Sequence, residues 1–335
     1  MPSVLFCFDK FRGTASAREL GDAGGVVADD LEWSWRSIPL ADGGEGSIDA
    51  LGGPNRWSRV SGPLGDALDA GWRMDGPVAF LEMAAASGLM LVGGRRGNDP
   101  IDASTAGTGQ LIRAALDEGA ERVIVFLGGS ATTDGGINAV REIADHPRLG
   151  DVELVAAADV TTCFVEAAAV FAPQKGATPE QVVFLRERLE ATAEYYRATH
   201  GVDVCDRPGT GAAGGLAGGI VALGGRLASG FDVLASAIGL SEAVADSDLV
   251  VTGEGMLDRQ SFSGKVIGGV LGASRPFGVA VLAIVGDCEP GVEVPPGLEF
   301  VSLTERFGVT AALADPLALV QTVIRESLLR ADESA

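Results

Sequence analysis

The chain has 335 residues, more than one hydrophobic core usually fills, and 47% of them are hydrophobic, so the sequence predicts two domains. Its 25 Lys and Arg against 46 Asp and Glu give a net charge of -21, a field that repels phosphate backbones and anionic lipid and argues against a nucleic-acid partner. Every apolar run is interrupted before it reaches membrane length, and the first residues show no signal-peptide pattern. We therefore expect a cytoplasmic protein with no membrane partner.

The cysteines agree with that location. Cys7, Cys163, Cys205 and Cys288 are far apart in the sequence and form no CxxC pair. Neither a disulfide framework nor a zinc site is indicated, and a reducing compartment fits best.

Short runs of Val, Ile, Leu and Phe recur along the chain without polar alternation, which is typical of parallel strands covered on both faces. They lie at 4–8, 123–127, 154–158, 249–251, 279–285 and 300–303. Helical patterns separate them, at about 108–116, from Thr178 to Gly201 with a capping box and proline at its start, and from Asp315 onwards. This alternation predicts an α/β architecture.

Three glycine-rich loops with acidic side chains follow apolar runs, at the strand ends where α/β sheets bind ligands. They read ADGGEG at 41–46, GGSATTDGG at 128–136 and TGEGMLDRQSFSGK at 252–265. Glycines let backbone amides approach a phosphate, and neighbouring carboxylates can hold magnesium or accept a proton. One such loop is equally compatible with a tight turn whose acids are only solvated, but three favour a magnesium-nucleotide site for phosphoryl transfer.

Two familiar nucleotide motifs do not fit. GTGAAG at 209–214 matches the dinucleotide fingerprint, but no convincing apolar strand precedes it, which argues against a nicotinamide site. The P-loop pattern is absent, because Lys265 is followed by valine and has no glycine at the required spacing before it. The two histidines, His146 and His200, are expected at the surface, so a carboxylate would act as general base.

Eight motifs resemble the successive signatures of the bacterial glycerate kinase family, in the family's order. They are DKFRGTASA (9–17), PLADGGEG (39–46), EMAAASGL (82–89), GTGQLI (107–112), GGSATTDGG (128–136), FAPQKGAT (171–178), GTGAAGGL (209–216) and TGEGMLDRQSFSGK (252–265). None is decisive alone, and EMAAASGL is also explained by a closely packed helix of small residues. Together they are specific and span most of the chain.

The resemblance implies ATP-dependent phosphorylation of D-glycerate with Mg²⁺, in a cleft between two α/β domains. One domain is flavodoxin- or Rossmann-like with a mainly parallel sheet and is formed by both chain ends, 1–61 and 247–335. The other, 62–246, is inserted between them. The resemblance favours 2-phosphoglycerate over 3-phosphoglycerate as product. It leaves the oligomeric state open, with a homodimer as the candidate assembly.

Each predicted site residue receives a role as a hypothesis. Carboxylates would supply metal ligands and the base, Lys and Arg would neutralise phosphates and the glycerate carboxylate, and hydroxyls would donate hydrogen bonds. The predicted catalytic residues are Asp42, Asp258, Arg259 and Lys265. The predicted nucleotide-binding residues are Lys10, Arg12, Gly128, Gly129, Ser130, Thr132, Lys175 and Gly253. The predicted substrate-binding residues are Asp9, Ser104 and Thr105, and the predicted magnesium ligands are Glu45, Asp134 and Glu254.

The chain also departs from the family pattern. Residues 158–171 read ADVTTCFVEAAAVF, shorter than the pattern and without its Asp-Asn-Pro and Gly-Pro features, Arg12 replaces a usual lysine, and Met256 replaces an arginine. The contracted segment keeps three alternatives open: a kinase for another small hydroxy acid, a weakened paralogue, and a non-catalytic sensor. The retained acids and lysines disfavour a sensor, which needs no catalytic base.

Overall fold

The computed structural model describes residues 1–11, 13–41, 43–262, 265–296 and 298–334. Arg12 and Asp42, two of the predicted site residues, lie outside the described residues. Within those ranges, no helix is both long enough and apolar enough to cross a membrane.

Strands and helices alternate along most of the chain. The strands are β1 (Ser3–Phe8), β2 (Ser34–Ser37), β3 (Arg56–Ser61), β4 (Ala67–Asp75), β5 (Val78–Glu82), β6 (Arg122–Phe126), β7 (Glu153–Ala157), β8 (Arg226–Ala228), β9 (Leu249–Gly253), β10 (Met256–Leu257), β11 (Ala280–Val285), β12 (Asp287–Cys288) and β13 (Leu298–Ser302). The helices are α1 (Ala17–Asp30), α2 (Ser47–Ala50), α3 (Ala84–Ser87), α4 (Ala106–Asp117), α5 (Ile137–Ile143), α6 (Ala167–Phe171), α7 (Pro179–His200), α8 (Leu216–Ala222), α9 (Gly230–Ala237), α10 (Leu240–Ala245), α11 (Val266–Ser274), α12 (Leu303–Phe307), α13 (Val309–Ala314) and α14 (Pro316–Ser334).

These elements confirm the predicted α/β class. Each apolar run singled out in the sequence forms a strand, and the three helical patterns form α4, α7 and α14. The start of α7 shows why the pattern was readable: Thr178 accepts a hydrogen bond from the backbone N–H of Gln181, whose side chain bonds back to the Thr178 backbone. Gly201 ends the helix with a φ of 69°.

The chain folds into two compact units. The first unit consists of Met1–Asp42 and Phe231–Ala335, and the second of Gly43–Gly230. The sequence placed these boundaries near Ser61 and Asp246. In the structure the boundaries lie after Asp42 and after Gly230. They differ from the prediction because β3 pairs with β4 in the second unit, while apolar residues of α9 and α10 pack into a core of the first.

The first unit is built on a parallel sheet whose described strands run in the order β13-β11-β9-β1-β2. Successive side chains point to opposite faces of a strand. In β1, Phe6 and Phe8 pack with α1 and α14 residues on one face, and Leu5 and Cys7 pack with α10 and α11 residues on the other. Burial on both faces explains why these strands lack polar alternation.

The second unit contains a mixed sheet in the order β3-β4-β5-β6-β7-β8 among the described strands. The β3-β4-β5 part is antiparallel and the β5-β6-β7-β8 part is parallel. One core surrounds Trp72, Leu81 and Leu111. A second core joins α6, α7 and α8, where the rings of Phe164 and Tyr196 meet edge to face with centroids 6.2 Å apart.

The prediction that both histidines lie at the surface was wrong for His146. Its side chain is 4% exposed, and its Nε2 lies 3.1 Å from Asp117 Oδ1. Its Nδ1 accepts a hydrogen bond from the Arg148 backbone N–H, so Nε2 is the nitrogen that donates to Asp117. His146 thus ties the end of α4 to the loop after α5. His200 is half-buried against Tyr195 and Tyr196.

Candidate functional site

In the first unit, two loops meet at the carboxyl ends of β1 and β9. These strands are parallel neighbours that pair Phe8 with Gly253, and the Asp9 N–H donates to the Gly253 carbonyl at 2.9 Å. The loops after them open onto a cavity of about 410 Å³. The described residues that line it are Asp9, Lys10, Glu254, Gly255, Met256, Asp258 and Lys265.

Lys265 and Asp258 form an ion pair in the wall of this cavity. Asp258 Oδ1 accepts hydrogen bonds from the backbone N–H groups of Gln260, at 2.7 Å, and Ser261, at 2.9 Å. Its other oxygen, Oδ2, lies 3.7 Å from Lys265 Nζ, with both side chains about one-third exposed. Asp258 therefore holds the lysine at the cavity wall while leaving it accessible to a ligand.

Glu254 is the buried acid of the cavity. Its Oε1 is buried and has no hydrogen-bond partner among the described residues. Burial raises the pKa of Glu254 to about 7; a hydrogen bond with the Ser261 side chain and the charge of Lys265 oppose this rise, and the negative charges of Asp9 and Asp258 add to it. A buried carboxylate oxygen without a partner, facing a cavity that contains two lysines, is suited to a bound cation or to a proton.

Two other residues that the sequence assigned to this site lie differently. Arg259 is exposed on the 3-10 helix Arg259–Phe262 and is not among the residues that line the cavity. A Cβ at Gly253 would lie 1.9 Å from the Ile284 carbonyl oxygen, so glycine is needed there for β9 to approach β11. The contact that requires Gly253 is therefore between strands.

The second unit contains the glycine turn, which we define as residues 43–48. Gly43 and Gly46 have positive φ values of 77° and 104°, which favour glycine. A Cβ at Gly128 would lie 2.4 Å from the Cα of Gly44, and one at Gly129 would lie 3.6 Å from Glu45 Oε2. The glycine turn and the start of the 128–136 loop therefore pack backbone against backbone, with the exposed Glu45 beside them.

Asp134 organises the rest of the 128–136 loop. It is 2% exposed, and its Oδ2 accepts hydrogen bonds from Thr105 N–H, Thr105 Oγ1 and Asn138 Nδ2 at 2.8–3.0 Å. Its Oδ1 accepts the Gly136 N–H at 3.0 Å. The Thr105 hydroxyl also accepts the Ala139 N–H. Asp134 and Thr105 thus use their polar atoms within the protein, which does not support their predicted roles at magnesium and substrate.

Lys175 is buried and binds a group within the protein. It is 2% exposed, and its Nζ donates to the Thr132 carbonyl at 2.6 Å. Burial lowers the pKa of Lys175 to about 7, although Asp134 favours its charged form. This position fixes the loop at Thr132 and does not support the predicted contact between Lys175 and a nucleotide phosphate.

The three remaining hydroxyl residues predicted to contact ligands, Ser104, Ser130 and Thr132, differ in burial and in hydrogen bonding. Ser104 Oγ accepts the Ala106 N–H at 3.2 Å, at the start of α4. Ser130 is half-buried and forms an antiparallel bridge with Gly88. Thr132 is fully buried, and its Oγ1 has no hydrogen-bond partner among the described residues.

Replacing Lys175 with methionine is expected to remove a pH-dependent part of the stability. Folding lowers the pKa of Lys175 from 10.5 to about 7, so the unfolded chain binds more protons between these pH values, and the free energy of unfolding rises with pH across that window. Thermal unfolding of both proteins across that window measures the effect. We expect the wild type to gain stability relative to K175M as pH rises. If the stability of the wild type minus that of K175M stays constant or falls as pH rises, the assignment is contradicted.

Within the part of the chain that the structure describes, no group of three or more His, Cys, Asp and Glu side chains is placed to hold an ion. Mg²⁺ is usually held by one or two carboxylates together with substrate phosphates. Among the described residues, Glu254, whose buried Oε1 has no hydrogen-bond partner there, is a carboxylate that could hold such an ion.

Sequence reasoning missed two residues that hold these loops. Glu82, at the end of β5, accepts hydrogen bonds from two amides of the glycine turn. Arg188, on α7, donates to the carbonyls of Ile101, at 2.6 Å, and Thr133, at 2.8 Å. An acid that ends a strand before small residues was a readable signal for Glu82. Nothing in the sequence distinguishes Arg188 from the surface arginines of α7.

Comparison with known proteins shows the family to which this chain is similar. Residues 4–144 and 140–326 match the Glycerate kinase family. The chain is 37% identical to Glycerate 2-kinase of Escherichia coli (strain K12), with 87% of each chain covered. It is 40% identical to Glycerate kinase of Halalkalibacterium halodurans, with 78% of each chain covered.

The fold is similar to a solved structure over its whole length. A crystal structure from Salmonella typhimurium LT2, assigned as a glycerate kinase 2, superposes with a TM-score of 0.84 at 32% identity and covers 100% of both chains. The sequence and structural matches agree with each other and with the eight motifs. The chain therefore belongs to the glycerate kinase family and is a kinase.

Proposed function

We propose that this protein transfers the γ-phosphoryl group of ATP to the 2-hydroxyl of D-glycerate, giving 2-phosphoglycerate and ADP in the presence of Mg²⁺. The observation that carries the proposal is the cavity of the first unit. Two lysines, Lys10 and Lys265, line it together with three acids, Asp9, Glu254 and Asp258. Lysine ammonium groups neutralise phosphates, and carboxylates complete the coordination of a phosphate-bound Mg²⁺.

The roles follow from the contacts. Lys265, held by Asp258, supplies positive charge to the phosphates of ATP, and Lys10 adds a second charge in the same cavity. Glu254, whose Oε1 has no hydrogen-bond partner among the described residues, would help to hold Mg²⁺. Bound Mg²⁺ supplies charge neutralisation at the phosphate oxygens. Phosphoryl transfer depends mainly on such positioning and neutralisation, so this set of residues is chemically sufficient.

The proton of the attacking hydroxyl goes to a carboxylate in this proposal. His146 is buried against Asp117 and His200 lies at the end of α7, so neither belongs to the loops after β1 and β9 that line the cavity. We assign the base to Asp42, which precedes the glycine turn in the sequence. Asp42 lies outside the described residues, so its assignment rests on the sequence motif.

The choice of substrate is tested by ADP release from MgATP with D-glycerate, L-glycerate, glycolate, lactate and tartronate. We expect turnover with D-glycerate well above the rate for every other acid and above background ATP hydrolysis. Turnover confined to another hydroxy acid would replace D-glycerate as the substrate. Absence of turnover with all five acids would contradict the proposed function.

A further inference from the structure

We propose that Glu82 is a positioning residue that fixes the glycine turn for phosphoryl transfer, and this inference rests on the proposed function. Glu82 is the last residue of β5. Its Oε1 accepts hydrogen bonds from the backbone N–H groups of Gly46, at 3.0 Å, and Ile48, at 2.8 Å. These amides belong to the first turn of α2, so one carboxylate oxygen anchors that turn to the sheet.

The N-cap of α2 makes no side-chain hydrogen bond to the helix amides, and the Ser47 hydroxyl within the turn bonds to the Gly44 carbonyl instead. Gly46 is the N-cap of α2 and has no side chain with which to cap the free amides. The helix is only four residues long, too short to be stable without tertiary contacts. Glu82 therefore supplies from a distant strand the cap that a Ser or Asp at position 46 would supply locally.

The position of the turn matters because a candidate residue, Glu45, lies within it. Gly44 packs directly against Gly128, where a Cβ would come within 2.4 Å of the Gly44 Cα. A shift of the turn would therefore disturb Glu45 and the start of the 128–136 loop.

The charge of Glu82 is not needed for this anchoring. Burial raises the pKa of Glu82, the two backbone amides oppose that change, and the nearby charges of Asp49 and Glu45 add to it. A neutral glutamine presents the same Oε1 acceptor without repelling its acidic neighbours. A positioning role thus predicts that glutamine replaces glutamate, whereas a role in proton transfer predicts that it does not.

The test compares Glu82→Ala with Glu82→Gln in the full-length protein, with Glu187→Ala as a control that removes an exposed acid of the same unit. Hydrogen-deuterium exchange of peptides covering 43–51 reports the anchoring directly. We expect exchange at least about fivefold faster in E82A, from the loss of a helix cap, and near wild-type exchange in E82Q and E187A. If E82A does not fold, E82D serves instead, because its carboxylate is withdrawn by about 1.5 Å.

Kinetics separate positioning from general stability. We expect kcat with D-glycerate to fall at least about tenfold in E82A, the KM for ATP to stay within about twofold, and E82Q to retain most of the activity. Equal losses in E82A and E82Q, unchanged exchange in E82A, or faster exchange with unchanged kcat would each overturn the inference. If the wild type shows no turnover, the proposed function fails, and the exchange data alone support or overturn the anchoring.

Discussion

Replacing Lys265 with alanine is expected to lower kcat/KM for D-glycerate phosphorylation by about two to three orders of magnitude. The lysine lies at the cavity wall, 3.7 Å from Asp258, and is partly exposed, so its charge is available to phosphates. Removing it leaves developing charge on the transferred phosphoryl group less well neutralised. Steady-state measurement of ADP release, with ATP and D-glycerate varied separately, gives kcat and both KM values.

Arg275→Ala is the matched control for this variant. It removes one positive charge from an exposed position of the same unit, outside the residues that line the cavity. We expect its kcat/KM to remain within about twofold of the wild type, since exposed charges act only through a screened long-range field. Similar losses in both variants would show that net charge, and not the position of Lys265, controls the rate.

Replacing Asp134 with alanine is expected to destabilise the second unit by about 3 kcal/mol or more. The buried carboxylate accepts four hydrogen bonds, and its loss leaves the amides of Thr105 and Gly136 without their partner. For a unit of this size, such a loss lowers the melting temperature by roughly 6 to 12 °C. Differential scanning calorimetry measures it and resolves whether the two units melt separately.

Asp145→Ala provides the comparison for Asp134. Asp145 pairs with Arg113 at 2.8 Å, but its side chain is 78% exposed, so the pair is screened by solvent. We expect its melting temperature to stay within about 2 °C of the wild type. A small effect at Asp134, comparable to that at Asp145, would show that the loop does not depend on the buried carboxylate.

The fold was readable from the sequence where local signals and burial agreed. The runs that became β1, β9, β11 and β13 lack polar alternation because helices pack on both faces of the first unit's sheet. The runs that became β6 and β7 are also mostly buried. β3 and β4 were not predicted, because their half-exposed, antiparallel hairpin breaks the apolar runs with charged residues. The same omission placed the first domain boundary at Ser61, inside the second unit.

The sequence predicted several residues of the candidate site, but it did not predict which groups the site residues contact. The sequence identified Lys10, Glu254 and Lys265, and the structure places all three around one cavity. It could not show that Lys175 is buried, because the pairing of Nζ with the Thr132 carbonyl joins positions 43 residues apart. Glu82 was missed for the same reason, since its hydrogen bonds reach 34 and 36 residues back along the chain.

The reaction itself is tested most directly by phosphorus NMR of the purified protein incubated with ATP, Mg²⁺ and D-glycerate. We expect ADP to appear together with one new phosphate monoester resonance, coupled to the single proton on C2 of 2-phosphoglycerate. A resonance coupled to the two C3 protons would show phosphorylation at the 3-hydroxyl. No monoester resonance, with D-glycerate recovered unchanged, would contradict the proposal that this protein is a D-glycerate kinase.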